Sequence, residues 1–364
     1  MTSGDGILIT RTDRIGDVIL SLPVIKTLKK AYPDRPLYFM VSSYAAPILE
    51  NYPGIEGVIK YDVSDESLTQ VSRTKQITQQ LRDLNIKTAL MLVYDSDVLS
   101  IIKNAGIKER LGPLTKIYGI FYYTKWKPQH RSKVDHHELE YNLGLLSLLD
   151  IKESEFDTTL ELPVSKGAVN SAFDKLKSIG FENPSSGYIV IHVGCGGSAL
   201  NWRYAYYAEL ASRLSESTGM TILLTGSDKE DSITSSVKQH VRGRCFNTAG
   251  LFSLKELIAV ISEAKLFVGP STGPMHIAGA TGVPLVAIFP PIKVQSARRW
   301  GPYSKDSIVM TPRVVCPAKF KCLGERCEFY NCMDAISIDD VFEKAKKLYD
   351  DSMQQMGLFE GASL

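Results

Sequence analysis

The 364-residue sequence predicts an α/β protein made of two doubly wound domains. Short apolar runs alternate with amphipathic helical segments in the first half of the chain, and a second series of the same kind begins after the break NPSSG at residues 183–187. Such alternation places parallel strands in a sheet with helices on both faces. We expect the domains to face each other across a cleft. Their predicted limits are residues 1–165 and 185–336, followed by a helix and tail at 337–364.

The first series is defined by changes in hydrophobic period along the chain. We predict strands at Ile7–Thr10, Leu37–Val41, Val58–Tyr61 and Ala89–Val93. We predict helices at Val18–Ala31, Ala45–Tyr52, Thr69–Leu84 and Val98–Asn104. The first of these helices carries Pro23 within its first two turns, where proline is best tolerated.

The second series follows the same logic after a linker that contains its own helix, Lys166–Ile179. Strands are predicted at Tyr188–Val193, Met220–Thr225, Leu266–Gly269 and Leu285–Phe289. Helices are predicted at Tyr204–Ser217, Asp228–Val241, Gly273–Ala280 and Ser337–Met353, and a further one opens at the capping box Ser253–Glu256 and runs through Ser262.

Composition narrows the class of protein. The hydrophobic fraction is 44%, and the formal net charge is only +2, so we expect no nucleic-acid partner. No apolar run reaches the roughly 18 residues that span a bilayer. The N-terminal stretch MTSGDGILIT lacks the basic start and apolar core of a secretory signal. We therefore expect a cytoplasmic location.

Three loops at the carboxyl ends of predicted strands hold the candidate chemistry, because ligands bind at that edge of doubly wound sheets. The first, TRTDRIGDVILSLPVIKTLKKAYP, places Asp13, Arg14, Gly16 and Asp17 between a strand and a helix. Asp17 is either a helix cap or a general base. The second role is open to it because an aspartate with a pKa of about 3.9 is ionised at neutral pH and can accept a proton. Local sequence leaves both interpretations open.

The second loop, HVGCGGSALNW, contains Gly194, Gly196 and Gly197, which allow close approach of a phosphate to the backbone. It matches neither the Walker loop nor the G-x-G-x-x-G pattern, and a flexible turn is the alternative.

The third loop, GPSTGPMHIAGATGVP, opens a helix near Gly273. The helix amides and the hydroxyls of Ser271 and Thr272 predict an anion site. His276 lies one turn further on, as a packed side chain or a ligand contact.

Three other clusters allow a functional and a structural interpretation. Asp95-Ser-Asp97 has the D-x-D form of a metal motif, but strand ends commonly carry aspartate. The basic stretch Lys125–Glu138 is either solvated surface or a contact for an anionic acceptor or membrane phosphates. Four crowded cysteines are free thiols, a local disulfide or a structural metal site. These cysteines are Cys316, Cys322, Cys327 and Cys332.

Taken together and in order, these segments resemble glycosyltransferase family 9, which contains the lipopolysaccharide heptosyltransferases. The opening stretch is similar to the family's R-x-x-x-x-G-D start, and HHELEYNLGLL at His136–Leu146 to its H-E-x-x-x-N-L segment. LLTGSDKE at Leu223–Glu230 is similar to G-x-x-x-E, and VGPSTGPMHIAGATGVPLVAIF to the late signature.

The resemblance implies a GT-B fold of two Rossmann-like domains, with the acceptor on the first and the donor on the second. It implies an inverting, metal-independent sugar transfer, most often of heptose from ADP-heptose, to a lipopolysaccharide core or related glycan. It further implies that no cofactor is required, and that the partners are a nucleotide sugar and a glycolipid or oligosaccharide, with peripheral contact at the inner membrane.

Carried onto this sequence, the resemblance makes Asp17 the general base. Arg14, Gly16 and His137 are implied on the acceptor side. The implied donor-side residues are Gly196, Gly197, Arg203, Gly226, Glu230, Ser271, Thr272, Gly273 and His276.

Two departures from the family pattern bear on the donor. No Lys or Arg precedes Trp202 in Ser198–Trp202, although Arg203 follows it, and Ser271 stands where an acidic residue is common. The missing basic residue keeps a second hypothesis open, an inactive sugar-nucleotide-binding protein of the same fold. A nicotinamide oxidoreductase is disfavoured because G-x-G-x-x-G is missing.

Overall fold

The computed structural model describes residues 5–62, 70–197 and 200–361, so the predicted position of Thr69 and those of Ser198 and Ala199 lie outside the described residues. The chain divides into two compact units, Met1–Leu160 and Glu161–Leu364. Each unit holds one six-stranded sheet. Within the described residues, no helix has the length and apolar character needed to cross a membrane.

The sheet of the first unit has the strand order β3-β2-β1-β4-β5-β6, with every pairing parallel. Its strands are β1 (Gly6–Thr10), β2 (Leu37–Ser42), β3 (Gly57–Tyr61), β4 (Ile86–Met91), β5 (Glu109–Leu114) and β6 (Lys125–Pro128). Its helices are α1 (Ile15–Ile19), α2 (Leu22–Ala31), α3 (Gln70–Asp83), α4 (Ser96–Asn104) and α5 (Glu138–Gly144). The order reverses between β1 and β4, which is the point where such folds place ligands.

The sheet of the second unit has the order β12-β11-β10-β7-β8-β9 and is also parallel throughout. Its strands are β7 (Tyr188–His192), β8 (Thr221–Thr225), β9 (Cys245–Asn247), β10 (Leu266–Pro270), β11 (Leu285–Ile288) and β12 (Ser307–Met310). Its helices are α6 (Lys166–Ser178), α7 (Tyr204–Thr218), α8 (Asp231–Gln239), α9 (Leu254–Ser262), α10 (Gly273–Ala280), α11 (Ala297–Trp300) and α12 (Ile338–Gly361).

Central strands are buried on both faces, as expected for parallel sheets covered by helices. Ile7, Leu8 and Ile9 of β1 and the whole of β7 are inaccessible or nearly so. The last helix contributes Val341, Ala345 and Tyr349 to the core that surrounds β7 and β8. That helix therefore belongs to the structure of the second unit.

The single helix predicted at Val18–Ala31 is wrong, because the segment forms two helices that meet at Leu20 and Ser21. Pro23 has no N–H for the carbonyl of Ile19, and its ring would clash with that carbonyl in a continuous helix. Ser21 Oγ instead donates to the Asp17 carbonyl at 2.7 Å. The break leaves Asp17 in the short helix α1, close to the end of β1.

Two other helix predictions need correction. The helix predicted at Ala45–Tyr52 is a single 3-10 turn, Ala46–Ile48, with Pro47 in its first turn. The helix predicted at Asp228–Val241 begins with a 3-10 turn, Asp228–Glu230, before α8. The capping box is confirmed, since Ser253 Oγ accepts from the Glu256 amide at 3.4 Å and the Glu256 carboxylate accepts from the Ser253 amide at 2.8 Å.

Candidate active site

A buried arginine organises the loop that follows β1. Arg11 is 2% exposed, and its guanidinium is shared among three carboxylates. Nε donates to Asp13 at 2.7 Å, Nη1 donates to Glu138 at 3.0 Å, and Nη2 donates to Asp17. Asp13 lies at the surface end of the cluster, where its carbonyl accepts from the Ser42 hydroxyl. Sequence reasoning missed Arg11, although its position directly after a buried strand was a usable signal.

Asp17 is held through both carboxylate oxygens. Oδ1 pairs with Arg11, and Oδ2 accepts from the backbone N–H of Arg14 at 3.3 Å. Asp17 is therefore not the N-cap residue, which is Arg14, but it does contribute to capping from the first turn of α1. The long bond at Oδ2 leaves that oxygen with lone pairs available for another donor.

Burial raises the pKa of Asp17 to about 6, because the loss of solvent disfavours the charged form more strongly than Arg11 favours it. The neighbouring charges of Asp13 and Glu138 act in the same direction as burial. The arrangement yields a carboxylate that is ionised at neutral pH and more basic than an exposed aspartate, which suits proton abstraction.

Three further buried residues hold Arg11 and its loop in place. Glu138 is completely buried and bridges Arg11 and Arg131. Arg131 also donates to the Leu92 carbonyl, just past β4, at 2.6 Å. Asn142 accepts from Arg11 at 3.1 Å and donates to the Leu20 carbonyl at 3.2 Å. Helix α5, which carries Glu138 and Asn142, is thereby fixed to the β1 loop.

The three candidate acceptor residues lie around this cluster. Arg14 is exposed and Gly16 is buried in α1. His137 caps α5, with Nδ1 accepting from the Leu139 amide at 3.2 Å, and it immediately precedes the buried Glu138. The structure thus places all three within or next to the segments that hold Arg11 and Asp17.

In the second unit, strand order brings the second and third candidate loops next to the loop that follows β8. Strands β10, β7 and β8 are neighbours in the sheet, and the loops follow their carboxyl ends. These loops carry Ser271 and Thr272 after β10, the glycines after β7, and Gly226 after β8. The sequence prediction that these segments share one edge is consistent with the topology.

Glu230 joins two of these loops. Its carboxylate accepts from the Gly196 amide at 2.9 Å, the Ser227 amide at 2.9 Å and the Ser227 hydroxyl at 2.8 Å. A Cβ at Gly194 would lie 2.2 Å from the same carboxylate, so only glycine leaves room for it. Burial acts to raise the pKa of Glu230, but the hydrogen bonds from Ser227 and Gly196 outweigh it and hold the pKa below its ordinary value.

The start of α10 offers fewer amides than the sequence suggested. Thr272 is the N-cap residue, and Pro274 has no N–H to offer. The Met275 amide already donates to the Thr272 carbonyl at 3.1 Å. The amide of Gly273 and the half-buried hydroxyls of Ser271 and Thr272 are therefore the groups in this turn suited to an anion, while His276 is buried one turn further along.

Arg203 is directed to a carboxylate within its own unit. It caps α7 and forms a two-pronged ion pair with Asp334. Its charge is therefore already balanced. His192, at the end of β7, bonds through Nδ1 to the Thr225 hydroxyl at 3.0 Å, and burial lowers its pKa to about 4, so it is neutral at pH 7.

The structure gives Asp95 a local role as a helix cap and places the four crowded cysteines around one cavity. Asp95 is the N-cap of α4 and accepts from the Asp97 and Val98 amides at 2.9 and 3.1 Å. The four crowded cysteines are free thiols that line one cavity of about 240 Å³. Among the described residues, no group of three or more His, Cys, Asp or Glu side chains is arranged to hold a metal ion.

Comparison with known proteins identifies the class of protein that this fold and these loops define. The profile of glycosyltransferase family 9 (heptosyltransferase) matches residues 100–327. This chain belongs to that family and is a glycosyltransferase.

Particular relatives agree with this assignment. Lipopolysaccharide heptosyltransferase 3 of Escherichia coli is 24% identical over 281 residues, which cover 75% of this chain and 79% of that protein. The solved structure of a family 9 glycosyltransferase from Veillonella parvula has a TM-score of 0.80 at 18% identity, covering 96% and 98% of the two chains. ADP-heptose heptosyltransferase II of Escherichia coli has a TM-score of 0.77 at 21% identity, covering 96% and 99%. The predicted GT-B fold class is confirmed.

Proposed function

We propose that this protein is an inverting, metal-independent glycosyltransferase in which Asp17 is the general base. The observation that carries the proposal is the burial of Asp17 against Arg11: burial raises the pKa of Asp17 to about 6 and so its basicity, while Arg11 favours the ionised carboxylate at neutral pH. Arg14, Gly16 and His137 are proposed to contact the acceptor. The first unit, Met1–Leu160, thus provides the acceptor side of the reaction.

The second unit is proposed to bind the nucleotide sugar. Glu230 would accept from the ribose hydroxyls, next to Gly226, while Gly196 and Gly197 allow close approach of the ligand. Ser271, Thr272, Gly273 and His276 would contact the diphosphate. Arg203 is a weaker candidate, because Asp334 already neutralises it. Hydroxyl and amide donors stabilise the negative charge that develops on a leaving diphosphate.

The proposed step moves one proton and one glycosyl group. Asp17 takes the proton of the acceptor hydroxyl as its oxygen forms a bond to the anomeric carbon. The bond from that carbon to the diphosphate oxygen breaks, and the nucleoside diphosphate leaves with the electron pair. The sugar is oxocarbenium-like in the transition state, with positive charge at the anomeric carbon. A single displacement inverts the configuration of that carbon.

The proposed donor is ADP-heptose, and the proposed acceptor is a lipopolysaccharide core or related surface glycan. Named relatives support this choice, since several are lipopolysaccharide heptosyltransferases. A glycolipid acceptor fits a protein in the cytoplasm that contacts the inner membrane peripherally. The second candidate is an inactive sugar-nucleotide-binding protein, which the ion-paired state of Arg203 favours.

A donor screen and one pair of variants test the proposal. Thermal shift with ADP, UDP and GDP sugars should show stabilisation by the true donor, about 2.7 kcal/mol at one hundred times its Kd. Asp17→Asn should bind that donor normally yet lose about 10²–10⁴-fold in transfer rate.

Asp13→Asn is the matched control, because it makes the same chemical change on another carboxylate of Arg11. It should retain most of the activity. Equal losses in both variants would show that Arg11, and not a base at Asp17, carries the effect. Donor binding without any transfer by the unmodified protein would support the inactive alternative.

A further inference from the structure

A short exposed segment of the first unit carries an unusual set of side chains. The 3-10 turn Ile117–Phe121 connects β5 to the edge strand β6. Ile117 is 71% exposed, Tyr118 67% and Phe121 77%. Ile120 and Trp126 are also exposed. We call these five residues the apolar edge. Four of the five belong to one turn, and exposed apolar side chains grouped in this way mark interaction sites on otherwise polar proteins.

The backbone around the apolar edge explains why these side chains stay outside. Gly119 is the buried residue of the turn, and its carbonyl accepts from the Tyr123 amide at 2.9 Å. The Tyr123 ring packs over Gly112, where a Cβ would lie only 2.5 Å from the ring. Tyr123 therefore fills the space beside β5, and the neighbouring apolar side chains face solvent.

The apolar edge lies within a strongly basic segment. From Lys103 to Lys127 the chain has six lysines and arginines and one acidic residue, Glu109, whereas the whole chain has a net charge of only +2. Lys103 lies over the Tyr122 ring at 5.3 Å, and Lys116 lies over the Tyr94 ring at 5.5 Å. Lysines thus flank the exposed aromatic and aliphatic side chains.

We propose that the apolar edge and its flanking lysines dock this protein on an anionic lipid bilayer. Aromatic and aliphatic side chains partition into the headgroup region, and lysines beside them pair with lipid phosphates. Charge complementarity favours this occupant over a second copy of the chain, since self-association through this face would bring the lysine clusters together. The surface deepens the proposed function by placing the enzyme at a lipid-linked acceptor, but docking itself does not depend on transfer.

Vesicle flotation of the full chain tests the proposal. Binding is expected with vesicles of phosphatidylcholine and phosphatidylglycerol, and much less with phosphatidylcholine alone. The double variant Ile117→Ser with Phe121→Ser should bind at least about tenfold more weakly, because both buried contacts with the headgroup region are lost. Lys116→Gln with Lys125→Gln should weaken binding about fivefold per lysine, with a reduced dependence on salt. No flotation with the anionic vesicles would overturn the proposal.

Phe320→Ser is the matched control, because Phe320 is 60% exposed and Lys319 lies beside its ring, but it belongs to the second unit. This variant should bind like the unmodified protein. An equal loss would mean that docking is not located at the apolar edge. Brominated lipid should quench the tryptophan fluorescence of the unmodified chain, and most of this quenching should disappear in Trp126→Phe. Unchanged quenching in that variant would contradict docking at the apolar edge.

Three further measurements exclude other occupants and separate the docking proposal from the proposed reaction. Competition by inorganic phosphate beyond that of chloride at equal ionic strength would point to a phosphate site and overturn bilayer docking. A dimer in sedimentation that Phe121→Ser dissociates would do the same. Transfer to a water-soluble acceptor should be unchanged in Ile117→Ser with Phe121→Ser, so loss of docking is distinguishable from failure of the proposed reaction.

Discussion

At the scale of single residues, Arg11 determines what its neighbouring carboxylates can do. Its guanidinium contacts Asp13, Asp17 and Glu138 in three directions, and these negative charges raise its pKa despite burial. The planar fork of arginine suits this geometry, which a lysine would not reproduce. Arg11 thus remains charged and balances carboxylates that burial alone would neutralise.

The raised pKa of Asp17 predicts the acid side of the pH–rate profile. If Asp17 is the base, kcat/KM should fall about tenfold per pH unit below about pH 6, because only the ionised carboxylate accepts a proton. An exposed aspartate would hold its rate down to about pH 4. Asp13→Asn removes a negative charge that raises the pKa, so its profile should move to lower pH. A profile that stays flat to pH 4 would contradict the role of Asp17.

Glu138 is predicted to stabilise the fold through its two arginines. Glu138→Ala leaves Arg11 and Arg131 buried without their shared partner, which should cost about 3–5 kcal/mol of unfolding free energy. The measurement is urea unfolding. Glu140→Ala, two residues away, removes an exposed capping bond to the His137 amide and an exposed contact with His136, and should cost about 1 kcal/mol. Similar stabilities for both variants would show that the buried network contributes little.

At the scale of elements, sequence patterns predicted the central strands and the edge strand β3, and missed three edge strands and β5. Edge strands β6, β9 and β12 have three or four residues and little or no fully buried surface, so they lack the apolar run that identifies a strand. Strand β5 was missed because Gly112 and Pro113 interrupt it. The hydrophobic period and the length of an apolar run reveal strands that are buried on both faces. Short edge strands form because a neighbouring strand pairs with them, so only the three-dimensional fold reveals them.

The residues of the candidate site also fall into two groups, those that the sequence predicts and those that only the fold reveals. Residues in loops directly after strands, such as Asp17 and Thr272, were predictable because strand order in a doubly wound sheet fixes the edge where loops meet. Arg11 also follows a strand directly, so its position was predictable, but its role was not. That role, like those of Arg131 and Asn142, depends on contacts with residues more than 30 positions away along the chain. The pairing of Arg203 with Asp334 was hidden for the same reason.

The conformation of the loop after β7 requires glycine at position 194, because Gly194 has no Cβ. Gly194→Ala would put a Cβ 2.2 Å from the Glu230 carboxylate, which must then leave the amides of Gly196 and Ser227. If Glu230 contacts the donor, KM for the nucleotide sugar should rise about tenfold or more while the fold persists. The measurement is steady-state kinetics with donor titration.

Gly167→Ala provides the control for that substitution. A Cβ at Gly167 meets no atom within 4 Å, and the residue lies in the first turn of α6. This variant should leave KM unchanged and should not lower stability, because alanine is a better helix former than glycine. A normal donor KM in Gly194→Ala would show that the position of Glu230 is not needed for donor binding.

At the scale of the whole molecule, each unit has its own sheet and its own core. One core surrounds β1 and β4 and includes Tyr123, and the other surrounds β7 and β8 and includes Trp202. Units with separate cores can unfold as separate cooperative steps. The proposed division of labour, with the nucleotide on the second unit, then has a thermodynamic consequence.

We predict two unfolding transitions, of which the nucleotide raises one. A ligand stabilises the state that binds it by mass action, so ADP at one hundred times its Kd should stabilise the second unit by about 2.7 kcal/mol.

Tryptophan fluorescence can separate the units, because Trp126 lies in the first unit and Trp202 and Trp300 lie in the second. In Trp126→Phe only the second unit reports, and its midpoint should rise with ADP. In Trp202→Phe with Trp300→Phe only the first unit reports, and its midpoint should stay constant. A rise confined to the first unit would reverse the assignment of donor and acceptor sides, and equal rises in both variants would show that the units unfold as one.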